Sequence, residues 1–234
     1  GCNIASGDTD VDGDGNAPFS ISATCVITVN DAGDLNYESG TTSFTLTIHA
    51  NQNTNTDVED VTVTVTDVND QTPTYSASST TPSIAEGVTA VDADRAITDT
   101  DTGDSNTCAL GGADSAKFTC TLTGQTAYSL SFTSAVDYDS PTDTGTNNVY
   151  DVTVAINDGT NQGATITYAV TVTDTNDQTP SWSTGTSVSA AEAQTTVVTL
   201  AATDSDTADS GGLTYSIVTD DPKGGTQFAI TGAA

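Results

Sequence analysis

Four stretches of the chain alternate apolar and polar residues with a period of two. They are Phe44, Leu46 and Ile48 in FTLTIHA, Val61, Val63 and Val65 in VTVTVTD, Tyr150, Val152, Val154 and Ile156 in VYDVTVAI, and Leu213, Tyr215 and Ile217 in LTYSI. Such a period puts every second side chain on one face, as a half-buried strand requires, and no long stretch shows a helical period instead. Clusters of Gly, Asp, Asn and Ser separate the runs. Short strands with such separators predict an all-β fold of antiparallel sandwiches. The 234 residues leave room for about two domains of ordinary size.

Composition argues the other way. Leu, Ile, Val and Phe together make up fewer than one residue in five, and 32 Asp and Glu against 3 Lys and Arg give a formal charge of −29. Few large apolar groups and a high net charge are the mark of chains that do not fold. Something outside the chain must therefore contribute stability. The charge repels nucleic acid, and metal cations or a very salty medium are its natural counterparts.

The four cysteines supply part of the deficit. Their spacing suggests local bridges Cys2–Cys25 and Cys108–Cys120, the second member of each lying near a Phe-led segment (Phe19, Phe118). Closing loops of this size stabilises by roughly 3 kcal/mol, and disulfides belong outside the cytoplasm. Four buried free thiols are the alternative. No stretch is apolar for long enough to span a membrane, and the chain starts at Gly1, which fits a mature or excised piece. No Asn-x-Ser/Thr sequon occurs.

The segment DVNDQTP, Asp67 to Pro73, returns as DTNDQTP, Asp174 to Pro180, at an offset of 107 residues, each time after an alternating run. Side chains as dense in oxygen as Asp67, Asn69 and Asp70, or Asp174, Asn176 and Asp177, call for a cation between them. Their hardness and number suit calcium better than zinc, which prefers His or Cys. Other acidic residues keep step. Glu86 matches Glu192 at an offset of 106, Asp99 and Asp101 match Asp204 and Asp206 at 105, and LNYES with Glu38 matches VDYDS with Asp137 and Asp139. An acidic, salt-adapted surface is the competing explanation, and it gives no reason for the register.

Taken in order, these pieces resemble the cadherin repeat over nearly the whole chain. They are an Ala-Glu near the start, Asp-x-Asp after the first strand, an acidic pair before the middle strand, INDG, and Asp-x-Asn-Asp-Gln-x-Pro at the end. The resemblance implies tandem Greek-key antiparallel β-sandwiches, immunoglobulin-like or cadherin-like, with seven strands per repeat. It divides the chain into a truncated repeat (1–70), a complete repeat (71–177) and the N-terminal part of a third (178–234). It also implies calcium held between consecutive units. Near residue 70 the nominated ligands are Glu38, Asp67, Asn69, Asp70 and Gln71 from one unit, with Asp99, Asp101 and Asp158 from the next. Near residue 177 they are Glu86, Asp137, Asp139, Asp174, Asn176, Asp177 and Gln178, with Asp204 and Asp206 beyond. Gln71 and Gln178 would contribute mainly their backbone carbonyls.

Departures from the pattern matter too. Asn36 stands where the second unit has Asp137, Gln52 stands where it has Asp158, and Asp139 replaces the longer Glu of the family. The junction near residue 70 is therefore expected to hold fewer ions, or hold them more weakly, than the one near 177. The segment DTDVDGDGN, Asp8 to Asn16, opens like an EF-hand loop with Gly13 at the turn, but its twelfth position is Phe19 instead of Glu. A true site and a solvated loop with loose affinity are equal alternatives. The two ends of the chain fit either a window from a longer tandem array or a subunit that completes its neighbour by strand exchange. Both imply end-to-end assembly with further repeats or other copies.

Nothing points to an enzyme. The single histidine, His49, falls on the outward side of its strand, and no Gly-x-Ser-x-Gly, His-Glu-x-x-His or phosphate loop occurs. Trp182 either plugs the start of the next sandwich or stacks on a sugar. The expected function is an extracellular rod or filament, at a cell surface or secreted, stiffened by calcium. Low aromatic content and extreme acidity suggest a prokaryote from a saline habitat. The alternatives are a carbohydrate-binding sandwich attached to a secreted enzyme and a passive halophilic coat.

Overall fold

The computed structural model describes residues 1–53, 55–75, 80–185, 187–207, 212–217 and 228–230. Fifteen strands follow in chain order: β1 (Cys2–Ser6), β2 (Phe19–Ile21), β3 (Ile27–Val29), β4 (Ser43–Gln52), β5 (Asn55–Thr64), β6 (Thr74–Tyr75), β7 (Ser83–Ala85), β8 (Ala90–Thr98), β9 (Thr107–Gly111), β10 (Phe118–Thr123), β11 (Ala127–Phe132), β12 (Val149–Asn157), β13 (Ile166–Thr173), β14 (Ser181–Trp182) and β15 (Ala202–Thr203). The only helical pieces described are three single 3-10 turns, at Gly33–Leu35, Tyr37–Ser39 and Ser115–Lys117. No helix among the described residues is long and apolar enough to cross a membrane.

The central unit is a sandwich of two four-stranded sheets, ordered β10-β11-β8-β6 and β7-β13-β12-β9. Every pairing is antiparallel except β7 with β13. The seven expected strands are present with the first divided, β6 pairing with β8 in one sheet and β7 with β13 in the other. Alternation decides which face is buried. Tyr150, Val152, Val154 and Ile156 on β12 are fully buried, and Ile166, Tyr168, Val170 and Val172 on β13 face the same core. From the other sheet, Phe132 stacks on Phe118 at 4.4 Å and meets Tyr150 edge-on at 5.0 Å, in the offset geometries aromatic rings prefer. The Cys108–Cys120 disulfide joins β9 to β10, the outermost strands on one side of the two sheets, and so staples them there.

A polar network crosses this core. Tyr128 and Tyr168 hydroxyls share a hydrogen bond of 2.9 Å, Tyr168 donates to Asp92 at 2.6 Å, and the chain's only arginine, Arg95, donates to the same carboxylate at 2.7 Å. Burial drives the Tyr168 phenol well above its ordinary range, and its bonds to Asp92 and Tyr128 add to the effect. Asp92 and Arg95 are three residues apart and would face opposite ways on a regular strand. Asp94 takes a left-handed φ of 50°, and the β8–β11 register slips there, so a bulge turns both side chains to one side.

Residues 1–64 repeat the latter part of this design. The sheet β1-β4-β5 corresponds to β9-β12-β13, and the β2-β3 hairpin corresponds to β10-β11. Gly7 and Gly112 mark equivalent points after β1 and β9, with φ of 88° and 92°; a Cβ there would strike the backbone at Thr45 and Asp151 respectively. The Cys2–Cys25 bridge occurs as the spacing predicts. The core is much smaller, with Phe19, Phe44 and Leu46 buried and Val63 and Val65 half-buried beside them.

Beyond residue 180 the described residues form only the two-stranded β14-β15 pair. LTYSI, expected as a strand, has no strand structure over 212–217. Alternation needs a neighbouring strand to take up the backbone hydrogen bonds, and none is described beside it. Trp182, expected as a plug, is 60 % exposed and rests against Tyr215 at 5.5 Å.

Candidate metal centres at the two junctions

Each copy of the duplicated segment leaves the last strand of its unit, β5 or β13, with Pro at its end. Both are held by the same hydrogen bonds. At the first junction Asp67 Oδ2 accepts the Thr102 N–H at 2.5 Å and also its hydroxyl, and Gln71 N–H donates to Asp101 Oδ2 at 2.7 Å. At the second, Asp174 Oδ2 accepts from the Thr207 N–H and hydroxyl, and Gln178 N–H donates to Asp206 Oδ2 at 2.9 Å. The glutamine side chains behave alike too, each donating to the preceding aspartate, Asp70 or Asp177, at 2.7 Å. The register seen in the sequence thus corresponds to one clasp built twice.

Around the first clasp, oxygens of Glu38, Asp70 and Asp101 lie within 4.8 Å of one another, and so do those of Asp99, Asp101 and Asp104. Glu38 Oε1, Asp67 Oδ1, Asp99 Oδ2, Asp101 Oδ1 and Asp104 Oδ2 are buried without a hydrogen-bond partner among the described residues. Around the second clasp, Glu86, Asp139 and Asp177 come within the same distance, with Asp139 Oδ2 and Asp206 Oδ1 buried and unpartnered among the described residues. Oxygens left this way lose their hydration without compensation unless a cation supplies it.

Titration behaviour divides the carboxylates in two. Partial burial raises the Asp139 carboxyl, and the Asp206, Asp174 and Glu86 charges push it further. Burial raises Asp104 likewise, with Asp101 the strongest repelling charge. Glu38 gains from a hydrogen bond at its own backbone, yet burial and the charges of Asp70, Asp101 and Asp67 outweigh that and push it up. Asp67 is held down by the Thr102 hydroxyl and N–H. Burial acts to raise Glu86, but N–H donors from Tyr138 and Thr175, both at 2.7 Å, prevail and hold it down.

Not every nominated residue joins these groups. Asp137 caps its own turn, accepting from the N–H groups of Asp139 and Ser140 at 2.9 and 3.2 Å. Asp204 accepts from Asp206 N–H at 3.2 Å, and Asn176 is exposed. Asp158, buried at 3 % exposure, accepts from the N–H groups of Thr160 and Asn161, and Asn69 donates to its carbonyl at 3.2 Å. The Gln71 carbonyl, expected as a ligand, accepts from the Asn161 side chain at 2.8 Å, which also reaches Asn69 at 3.0 Å. Sequence reasoning passed over Asp104 and Asn161. It also passed over Thr102 and Thr207, although each follows its Asp-x-Asp directly.

The donor set fits a hard cation. It consists of oxygen alone, since all four cysteines are in disulfides and His49 lies in β4. Many carboxylates in irregular arrangement suit calcium, which accepts six to eight oxygens, better than the smaller, strictly octahedral magnesium.

No protein-family model and no curated protein sequence matches the chain. Solved structures do. Mouse protocadherin-24 EC1-3 superposes with a TM-score of 0.60 at 21 % identity over 88 % of this chain and 66 % of that one. Human CDH23 EC21-23 gives 0.58 at 21 % identity, over 88 % and 73 %. Mouse clustered PcdhgC3 EC1-3 gives 0.57 at 19 % identity, over 88 % and 66 %. The chain therefore spans about two thirds of the length of these neighbours. Its fold is the cadherin-like β-sandwich.

Proposed function

We propose that this chain is part of an extracellular structural or adhesive protein in which calcium locks consecutive cadherin-like units end to end. The units are 1–70, 71–177 and 178–234. The observation that supports this best is the duplicated clasp, in which the seven-residue linker, repeated with one change, and the same Asp-x-Asp-Thr loop meet through the same bonds beside carboxylate oxygens that are buried and unpartnered among the described residues. Calcium would be held near residue 70 by Glu38, Asp67, Asp70, Asp99, Asp101 and Asp104, and near 177 by Glu86, Asp139, Asp174, Asp177 and Asp206. Bound there, it supplies positive charge that cancels repulsion between units. The chain's own part is to fix the carboxylates in place through Thr102, Thr207 and the glutamine N–H groups. Small-angle scattering of the full chain tests the proposal. With millimolar calcium the maximum dimension is fixed, and in chelator the profile becomes that of hinged units; identical profiles in calcium and in sodium at matched ionic strength overturn it.

A second reading draws on Trp182, which is 60 % exposed beside Tyr215 and Pro180. An open aromatic face of this kind suits stacking on a sugar ring, the carbohydrate-binding alternative. A glycan array in the presence of calcium separates the two, since a structural segment captures no glycan and Trp182→Ala abolishes any capture that depends on this face.

A further inference from the structure

The loop at Asp8–Asn16 lies inside the first unit, away from the duplicated linkers in sequence, and the clasps make no use of it. Its first aspartate does not act as an EF-hand opening residue: Asp8 Oδ1 accepts Phe19 N–H at 2.9 Å and so ties the loop exit to β2. The acidic spacing then begins at Asp10, continuing through Asp12 and Asp14. Gly13 and Gly15 take left-handed φ of 81° and 95° and donate their N–H groups to the two Asp10 oxygens at 2.6 and 2.8 Å. Val11 is half-buried against the small core, which anchors the loop from beneath.

The group that closes this loop comes from elsewhere. Asp34, in the 3-10 turn Gly33–Leu35, is fully buried at 0 % exposure. Its Oδ1 accepts N–H groups from Val11 at 2.5 Å and Asp12 at 3.0 Å, and its Oδ2 is buried with no hydrogen-bond partner among the described residues. Oxygens of Asp10, Asp12 and Asp34 lie within 4.8 Å of one another, and a second group of Asp12, Asp14 and Asp31 adjoins them. A fully buried carboxylate with one oxygen unpaired, facing two more carboxylates, lacks the compensation that burial of such a group requires.

We propose that this is a calcium site within the first unit, independent of the junctions, with Asp34 in the closing role that the missing Glu at position nineteen would have filled. Asp10, Asp12 and Asp34 hold the ion, and Asp14 and Asp31 flank it. Oxygen-only donors in an irregular loop select a hard cation of calcium's size over magnesium. The ion ties the segment after β1 to the turn before β4, above a core of only Phe19, Phe44 and Leu46.

The test is a calcium chloride titration of the full, nitrogen-15-labelled chain, followed amide by amide in heteronuclear correlation spectra, with magnesium chloride as control. Val11, Asp12, Gly13 and Gly33 report this loop, while Thr102 and Thr207 report the junction clasps, so each site is read separately. Expected is a saturable calcium shift of the loop amides that Asp34→Asn weakens at least about tenfold while Thr102 and Thr207 titrate as before. Asn keeps the acceptor that Val11 and Asp12 use. Should that variant misfold, Asp12→Asn, at an exposed position, must give the same selective weakening. Loop amides that stay still while the clasp amides saturate, or that shift equally in both variants, overturn the site and leave the clasps standing. Silent clasp amides beside shifting loop amides overturn the clasps and leave the site.

Discussion

Replacing Asp101 with asparagine separates charge from hydrogen bonding at the first junction. Asp101 belongs to both carboxylate groups there, one with Glu38 and Asp70 and one with Asp99 and Asp104. Its Oδ2 accepts Gln71 N–H at 2.7 Å, and its Oδ1 is buried and unpartnered. Asparagine has the same shape and keeps the acceptor for Gln71, but it removes one negative charge from among neighbours within 4.8 Å. In chelator the substitution relieves repulsion, and the melting temperature rises. In calcium it deletes a ligand shared by both groups, and the melting temperature falls. A cation present at about 100 times its Kd stabilises by about 2.7 kcal/mol. For a unit near 100 residues, at about 4–8 °C per kcal/mol, this is about 10–20 °C. Binding weakened tenfold removes about 1.4 kcal/mol, or about half of the calcium increment. Differential scanning calorimetry in chelator and in millimolar calcium, at one ionic strength, measures both signs. An equal fall in the two media overturns the ligand role, because Asp101 would then act only through Gln71.

Three further outcomes follow from the same structure. Asp139, Asp104 and Glu38 are raised in the folded chain, so they take up protons before the unfolded chain does and stability in chelator climbs as pH falls from neutrality toward the ordinary aspartate value of 3.8. The lowered groups reverse the trend at more acid pH: hydrogen-bond donors hold Asp67, Glu86 and Asp114 down, so their contributions are lost as pH falls through their lowered values. Melting curves against pH should therefore peak at mildly acidic pH in chelator and near neutrality in calcium; coincident maxima count against crowding at the clasps. Replacing both Cys108 and Cys120 with Ser opens a loop with a sequence separation of 12 residues and costs about 3 kcal/mol in urea unfolding, whereas a loss below 1 kcal/mol denies the staple its role. On chelation, hydrogen exchange should accelerate in β4 and β5, over the small core, well before β12 and β13; uniform acceleration contradicts the assignment of stability to core size.

What could be read from the sequence was whatever depends on periodicity and repetition. Alternation located Tyr150, Val152, Val154 and Ile156, all fully buried, because side chains on a strand change face at every residue. It misled at LTYSI, since a pattern can nominate an inward face but cannot supply the neighbouring strand. Cysteine spacing gave both bridges. The duplicated linkers pointed to the clasps through Asp67, Gln71 and Asp101 and their second copies. Asp104 and Asn161 were hidden because their role comes from convergence across the fold and has no copy among the matched motifs. The Asp92–Arg95 pair was hidden for a different reason: only the bulge at Asp94 places residues three apart on one face.

The placement of charge resolves the conflict between composition and pattern. Inside the central sandwich the carboxylate that meets the Tyr128–Tyr168 pair, Asp92, is answered by the single arginine. Half of the 32 acidic residues that composition counts against folding lie in six connections: 8–16, 31–38, 67–70, 99–104, 137–139 and 174–177. Strand faces are thus free to pack, and repulsion is concentrated at a few points where one divalent ion can neutralise several carboxylates at once. Two of those points, the loop at 8–16 and the linker at 67–70, belong to the unit whose buried core has three side chains, while the sandwich with thirteen is held chiefly by its own packing and its disulfide. A sequence too poor in large apolar residues to stabilise every unit by burial can still form a continuous structure if ions neutralise its carboxylates where they gather.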